Sequence, residues 1–355
     1  MRALFPLLAA GLILSSCGGG GSSSPAPPVV TPPPVPPPAS QDFSSVGAEV
    51  ERFSVADVTL VIGDSSGELY RYEKGAVTAD TPLGLASASK LLSGVALWTL
   101  IEDGTLSLDD TPQDHIPGWT SDPSDPRARI TLDHLLSYRS GFNTRPSEAT
   151  CAGRPDFSLR QCVTQIYQAG TQSEPGEGFA YGSSHSQVAA LMAREARGQD
   201  LHATVSALFD SVGASASAGF PAQDNTRYSA NARASADDYG RLLTALLAGR
   251  LVADLPGYLS DRTDGARVIY RPFGDNAALD WHYGAGFWIE CDTVPFSDDC
   301  AGATATISSP GARGFTPWVD FETGYWAVLA MEQAGASAAA VTLQQTLQPM
   351  IAAEF

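Results

Sequence analysis

Apolar and polar positions divide the chain into stretches of different period. Residues 57–75, "DVTLVIGDSSGELYRYEKG", carry two strand-like runs around a Gly-containing turn and predict a β-hairpin. From about Ser87 to Asp103 the pattern changes. Leu91, Leu92, Val95, Leu97, Leu100 and Ile101 put apolar side chains on nearly every side of a helix, which must therefore be central and buried, and Gly104 ends it. Between about 105 and 260 the period is helical: "TLDHLLSYRSG", "SQVAALMAREARG", "LHATVSALFDSVG" and "DDYGRLLTALLAG" each stop near a glycine. Strand character returns in "YGAGFWIECD", "ATATISS" and "GYWAVLAME"; an Ala-rich helix from about Ser337, disturbed by Pro349, closes the chain. Strands at both ends with helices between predict an α+β fold. One antiparallel sheet joins N- and C-terminal strands and is flanked by helices, with a helical insertion over about 105–260.

The front of the chain follows none of these periods. Arg2 precedes an apolar run, "LFPLLAAGLIL", too short to span a bilayer, so residues 1–16 read as a signal peptide. The run ends in "LSSC", which resembles the lipobox of bacterial lipoproteins. That resemblance implies acylation of Cys17 and, with Gly18 rather than aspartate following, delivery to the periplasmic face of a Gram-negative outer membrane. Residues 17–41, the acylated cysteine and then "GGGGSSSPAPPVVTPPPVPPPAS" and Gln41, cannot form a core. Glycine and serine keep the first part flexible, and the proline-rich part is a semi-rigid spacer reaching roughly 40 Å. The remaining body, 42–355, is long enough for one large two-part domain.

Charge and cysteine usage narrow the partners. A net charge of −18 argues against nucleic acid or anionic lipid as ligands of the body; the membrane enters through the lipid anchor alone, and a monomer is expected. With Cys17 lipidated, two local pairs remain, and a disulfide is expected in each of Cys151–Cys162 and Cys291–Cys300. Neither pair has zinc spacing with nearby histidines, so no metal and no cofactor are expected.

Two serines compete as nucleophiles. "GDSSG", residues 63–67, matches the elbow in which Ser65 would sit between a strand and a helix, but "ELYRYEKG" after it alternates like a second strand. "SASK", Ser87 to Lys90, lies at the mouth of the buried helix. There positions three apart share a face, and the positive helix end stabilises a developing oxyanion. Only Lys74 and Lys90 among twenty-one Lys and Arg residues are lysines. A buried lysine can lose its proton and take one from a serine, whereas arginine stays protonated.

Four further segments, with "SASK", make the chain resemble the serine β-lactamase-like hydrolases: penicillin-binding proteins, class C β-lactamases and family VIII carboxylesterases. They are "LWTLIEDGTLSLDDTPQDHIPGW", "ITLDHLLSYRSGF", "PGEGFAYGSSHSQVAALMARE" and "ANARASADDYGRLLTALLAG", in the family's order. The resemblance implies a β-lactamase/transpeptidase-like fold. Ser87 becomes the acylated nucleophile, Lys90 its base or proton shuttle, and Tyr181 the phenol that activates water or protonates the leaving group. His134 and His185 read as structural. Ser183 replaces the asparagine of the Tyr-x-Asn motif. In "SSPGARGFTPW" Ser309, Pro310 and Gly311 stand where the family carries Lys or His, then Thr or Ser, then Gly; Arg313 is the nearby candidate for the missing positive charge. Backbone N–H groups of Ser87 and Ala312 would form the oxyanion hole, with Ser183, Ser309, Gly311 and Arg313 binding substrate.

These residues lead to an expectation of a lipid-anchored periplasmic serine hydrolase acting through a Ser87 acyl-enzyme on an ester or amide, with esterase action preferred. The alternatives are a β-lactamase or D-Ala-D-Ala peptidase acting on peptidoglycan-type substrate, and a non-catalytic envelope-binding protein with degraded second and third motifs. Loops 143–160 and 262–282 would shape the substrate pocket.

Overall fold

A computed structural model describes residues 41–142, 150–263, 265–272, 281–290 and 306–355. The expected leader, Cys17 and its tether lie outside the described residues, as does the Cys291–Cys300 pair. The elements run α1 (Ser44–Arg52), β1 (Val58–Asp64), β2 (Gly67–Lys74), β3 (Leu83–Gly84), α2 (Ser89–Glu102), α3 (Pro112–His115), α4 (Leu132–Leu136), α5 (Leu159–Ala169) and β4 (Gly178–Ala180). They continue with α6 (Ser184–Arg197), α7 (Leu201–Ser211), β5 (Arg233–Ala234), α8 (Ala236–Leu247), α9 (Leu255–Leu259) and β6 (Arg267–Tyr270). The last are β7 (Trp281–Tyr283), β8 (Trp288–Glu290), β9 (Thr306–Ser308), β10 (Thr316–Asp320), β11 (Tyr325–Ala330) and α10 (Ser337–Ala352).

The main sheet has the order β2-β1-β11-β10-β9-β8-β7 and is antiparallel throughout. The N-terminal hairpin docks beside the last strand, with Thr59 opposite Ala330 and Asp64 opposite Tyr325. β1 is buried along nearly its whole length, whereas β2, at the sheet edge, is partly or fully exposed throughout. The fold is the β-lactamase/transpeptidase-like α+β architecture, with helices on both faces of the seven-stranded sheet.

Each sheet face has its own core. On one side α1 and α10 bury Val46, Val50, Leu343, Leu347 and Ile351 against Leu60, Ile62, Trp318 and Leu329. On the other, α2 and α8 pack with Val61, Val328 and Ala330. α2 is buried on almost every side, as its continuous apolar pattern requires. Ser235 caps α8 by accepting the N–H of Asp238 at 3.0 Å, and Ser158 with Gln161 forms a capping box on α5. Cys151 and Cys162 are disulfide-bonded, fastening the chain before α5 to that helix.

Two local differences from the sequence reading have physical causes, and the hairpin expected around Ser65 is found. α2 begins at Ser89 rather than Ser87, because residues Ala86–Ala88 wind more tightly as a 3-10 turn. Pro349 does not break α10: it stands in the last turn, and the helix continues to Ala352. Ser65 occupies an exposed hairpin turn followed by β2, not a helix. Asp64 organises that turn by accepting the N–H groups of Ser66 at 2.7 Å and Gly67 at 3.2 Å. The strand-to-helix condition for a nucleophile elbow is therefore unmet at Ser65.

Candidate active site

The chain enters the site through a strained residue. Ala86 has φ 46°, a left-handed conformation that costs a side-chain-bearing residue about 1–3 kcal/mol. It feeds the 3-10 turn holding Ser87. In such a turn residues i and i+3 nearly eclipse, which brings the first turn of α2 over the serine. Lys90 Nζ lies 3.1 Å from Ser87 Oγ. Ser87 is half-buried, while only 5% of the Lys90 surface is exposed.

A loop far along the chain holds the amine from its other side. Lys90 Nζ donates to the carbonyl of Ser229 at 2.9 Å, and the Ser229 hydroxyl donates to Ser183 Oγ at 2.8 Å. Ser183 is the N-cap residue of α6 and therefore shares a bonded chain with Lys90 through Ser229. The loop is itself tied down: Ser93 donates to the carbonyl of Tyr228 at 2.7 Å, and Gln187 accepts the N–H of Tyr228 at 3.1 Å. Ser229 carried no motif in the sequence. Its contact is made by a backbone carbonyl, which every residue type supplies.

Tyr181 follows β4. Its ring centroid is 4.4 Å from Lys90 Nζ, and Trp288 stacks on the ring at 5.3 Å with 17° between planes. Tyr283 meets it edge-on at 6.1 Å, and Tyr138 lies 5.6 Å away. Ser87, Lys90, Tyr181 and Ser183 are therefore brought into one cluster, walled by aromatics from a segment read only as strand in the sequence.

The third expected segment also arrives here. Ser309, just past β9, donates through Oγ to the carbonyl of Ser87 at 3.1 Å. Gly311 runs against the turn; a Cβ there would stand 2.4 Å from the carbonyl oxygen of Leu85. The N–H groups of Ser87 and Ala312 are the oxyanion-hole donors that the family resemblance implies. Arg313 departs from expectation. It is more than half exposed and ion-paired with Glu332, so its charge is already matched outside the cluster.

Both histidines singled out in the sequence sit in structural hydrogen bonds. His134 Nδ1 accepts the N–H of Thr131 at 3.2 Å in the capping box of α4, and burial lowers its pKa. His185 is fully buried between Ala180 and Ser140; burial, with the nearby Lys90 charge adding to it, lowers its pKa to about 4.

A serine and a lysine share a turn beneath a tyrosine, on a sheet with helices on both faces, the arrangement that the resemblance to serine hydrolases implies. The match of a family model described as Beta-lactamase to residues 54–348 agrees, and the chain belongs to that family. It is 28% identical to the lovastatin esterase of Penicillium rubens over 235 residues, 59% of this chain and 58% of that protein. The chain spans less than two thirds of the length of the curated relatives it matches. Among solved structures, EstCE1, a hydrolase with promiscuous acyltransferase activity, aligns with a TM-score of 0.68 at 16% identity. That alignment covers 87% of this chain and 97% of the other. A penicillin-binding protein from Bacillus halodurans aligns with a TM-score of 0.63 at 18% identity, covering 85% and 98%. Members of the family are serine hydrolases, among them esterases and penicillin-binding proteins.

Proposed function

We propose that this protein is a lipid-anchored periplasmic esterase that cleaves its substrate through a Ser87 acyl-enzyme. The observation that carries the reading is the 3.1 Å approach of Lys90 Nζ to Ser87 Oγ. In its neutral form the amine accepts the serine proton as Oγ attacks the carbonyl carbon. The negative charge moves to the carbonyl oxygen, received by the N–H groups of Ser87 and Ala312. The proton then passes through Tyr181 to the departing alkoxide, the ester C–O bond breaks, and the acyl group remains on Ser87. Water, deprotonated by the same Lys90–Tyr181 pair, attacks the acyl carbonyl and releases the acid, and the proton returns to Ser87.

The ester preference rests on charge. Where the family carries Lys or His this chain has Ser309, and Arg313 is paired with Glu332. A carboxylate-bearing substrate therefore meets less attraction here than in relatives that carry that cation. The lipobox-like "LSSC" and the spacer support attachment through Cys17.

Labelling with a fluorophosphonate tests the enzyme, with the wild type reacting and Ser87→Ala not. Absence of labelling by any acylating probe, fluorescent penicillin included, would instead support the non-catalytic binding protein. Parallel turnover of p-nitrophenyl esters, nitrocefin and a D-Ala-D-Ala peptide ranks the substrate classes; faster nitrocefin or peptide turnover would reverse the ester preference. Cys17→Ala should abolish incorporation of radiolabelled palmitate.

A further inference from the structure

The chemistry above uses the Tyr181 phenol but not what aims it. Tyr181 follows directly on Ala180, and both backbone groups of Ala180 are gripped by aromatic residues. The Ala180 N–H donates to the carbonyl of Tyr138 at 3.0 Å, and its carbonyl faces His185 Nε2 at 2.9 Å. Tyr138 holds Ala180 through its main chain and His185 through its ring, and the Tyr138 ring lies flat on the imidazole, centroids 4.7 Å apart and 11° from parallel, bracing it. The Tyr138 hydroxyl is fixed by Ser186 Oγ at 2.9 Å.

Hydrogen-bond chemistry sets the histidine tautomer. A carbonyl only accepts, so the imidazole proton sits on Nε2 and Nδ1 is left as an acceptor. Ser140 fills that acceptor at 2.8 Å while its oxygen accepts the N–H of Phe142 at 3.3 Å. Both imidazole nitrogens are thus committed, Nε2 to the Ala180 carbonyl and Nδ1 to Ser140, and neither is left for proton transfer with substrate.

Tyr138 holds its place against backbone strain. Its φ of 59° is a left-handed conformation that costs a bulky residue about 1–3 kcal/mol. Glycine would make the same turn without that cost. The aromatic ring is what the turn delivers: it lies between His185 at 4.7 Å and Tyr181 at 5.6 Å.

We propose that His185 and Tyr138 are positioning residues, a clamp on Ala180 that fixes the direction from which the Tyr181 phenol reaches the leaving group. The proposal rests on the reading of Tyr181 as proton donor, and its test separates the two. Acylation rates, read as kcat/KM so that the shared deacylation step drops out, are compared for a p-nitrophenyl ester, whose leaving group needs no proton, and an ethyl ester of the same acid. Each is normalised to serines titrated with fluorophosphonate, so only folded enzyme is counted. Tyr181→Phe should slow the ethyl ester at least about 100-fold and the nitrophenyl ester far less. His185→Leu should reproduce that selectivity in kcat/KM, about 10- to 100-fold on the ethyl ester. His185→Gln, which restores an amide donor and acceptor, should recover part of it.

In a Tyr181→Phe background His185→Leu should change the ethyl ester rate by less than about threefold, because the group it aims is gone. Tyr138→Asn, which suits the left-handed backbone but removes the ring, gives an independent variant and should show the same selectivity if His185→Leu yields no titratable enzyme. Equal slowing of both esters, or full additivity with Tyr181→Phe, would reduce the clamp to scaffold and overturn the proposal. Loss of selectivity in Tyr181→Phe itself would overturn the reading of Tyr181, and the clamp with it.

Discussion

The carbonyl of Ser229 takes a hydrogen bond from Lys90 at 2.9 Å, joining a loop and a helix 139 positions apart in the chain. Together with the Ser87 bond it fixes the amine between two oxygens. Lys90→Arg keeps a cation in the same space but cannot take a proton at any working pH. Ester turnover should fall by about 10³-fold or more, while the thermal midpoint stays close to wild type; near-wild-type turnover would remove the proton-acceptor role.

Gly311 stands where backbone meets backbone. A methyl group at this position would lie 2.4 Å from the carbonyl oxygen of Leu85, so Gly311→Ala must move the segment that carries Ala312. We expect a loss of about 100-fold in kcat together with a lowered melting midpoint, read by steady-state kinetics and calorimetry on one preparation.

Gly94 makes a second such case, on α2. A Cβ there would stand 1.9 Å from the carbonyl oxygen of Ala285, between a buried helix and the β7–β8 turn. Gly94→Ala should destabilise the fold by about 1–3 kcal/mol or more, measured as a shift in urea midpoint. An unchanged midpoint would mean that this helix and turn do not meet as described.

The disulfide predicts a redox-dependent midpoint. Cys151 and Cys162 close a short loop, and the chain-entropy argument gives about 2–3 kcal/mol for a ring of this size. Reduction should lower the urea midpoint accordingly. Mass spectrometry of the unreduced protein should find neither of these thiols open to alkylation.

Glu290 makes stability depend on pH. Loss of water raises its pKa from the model-compound 4.5 to about 7, against the opposing pull of Gln348, which donates at 2.7 Å, and of Gln344. The folded state therefore holds a proton that the unfolded chain has released between about pH 4.5 and 7, and this contribution falls as pH rises through that window. His185, with its pKa lowered to about 4, acts oppositely, favouring folding as pH rises from 4 towards 6.5. The difference in melting midpoint between wild type and Glu290→Gln isolates the first effect. It should narrow on acidification, and a difference constant from pH 5 to 8 would contradict it.

Local periodicity made the hairpin, the central helix and the closing helix legible, because each is decided by which faces are apolar. The two-residue β3–β5 pair and the parallel β4–β6 pair were not legible, since their pairing depends on long-range docking rather than pattern. In the site, side-chain chemistry singled out Ser87, Lys90 and Tyr181. Ser229 acts through a carbonyl, and Trp288 and Tyr283 through ring faces supplied by a strand that seemed only to fill the sheet. Arg313 pairs with Glu332, nineteen residues on, a partner that the sequence alone does not reveal.

The pairing of β1 with β11 ties the earliest strand of the body to the latest. A ribosome therefore releases most of the chain before the sheet can be finished, and the hairpin must wait with one flank unmatched. The pairing also means that a frameshift near the end should yield no partially working fragment, since losing the last strand leaves the first without its neighbour.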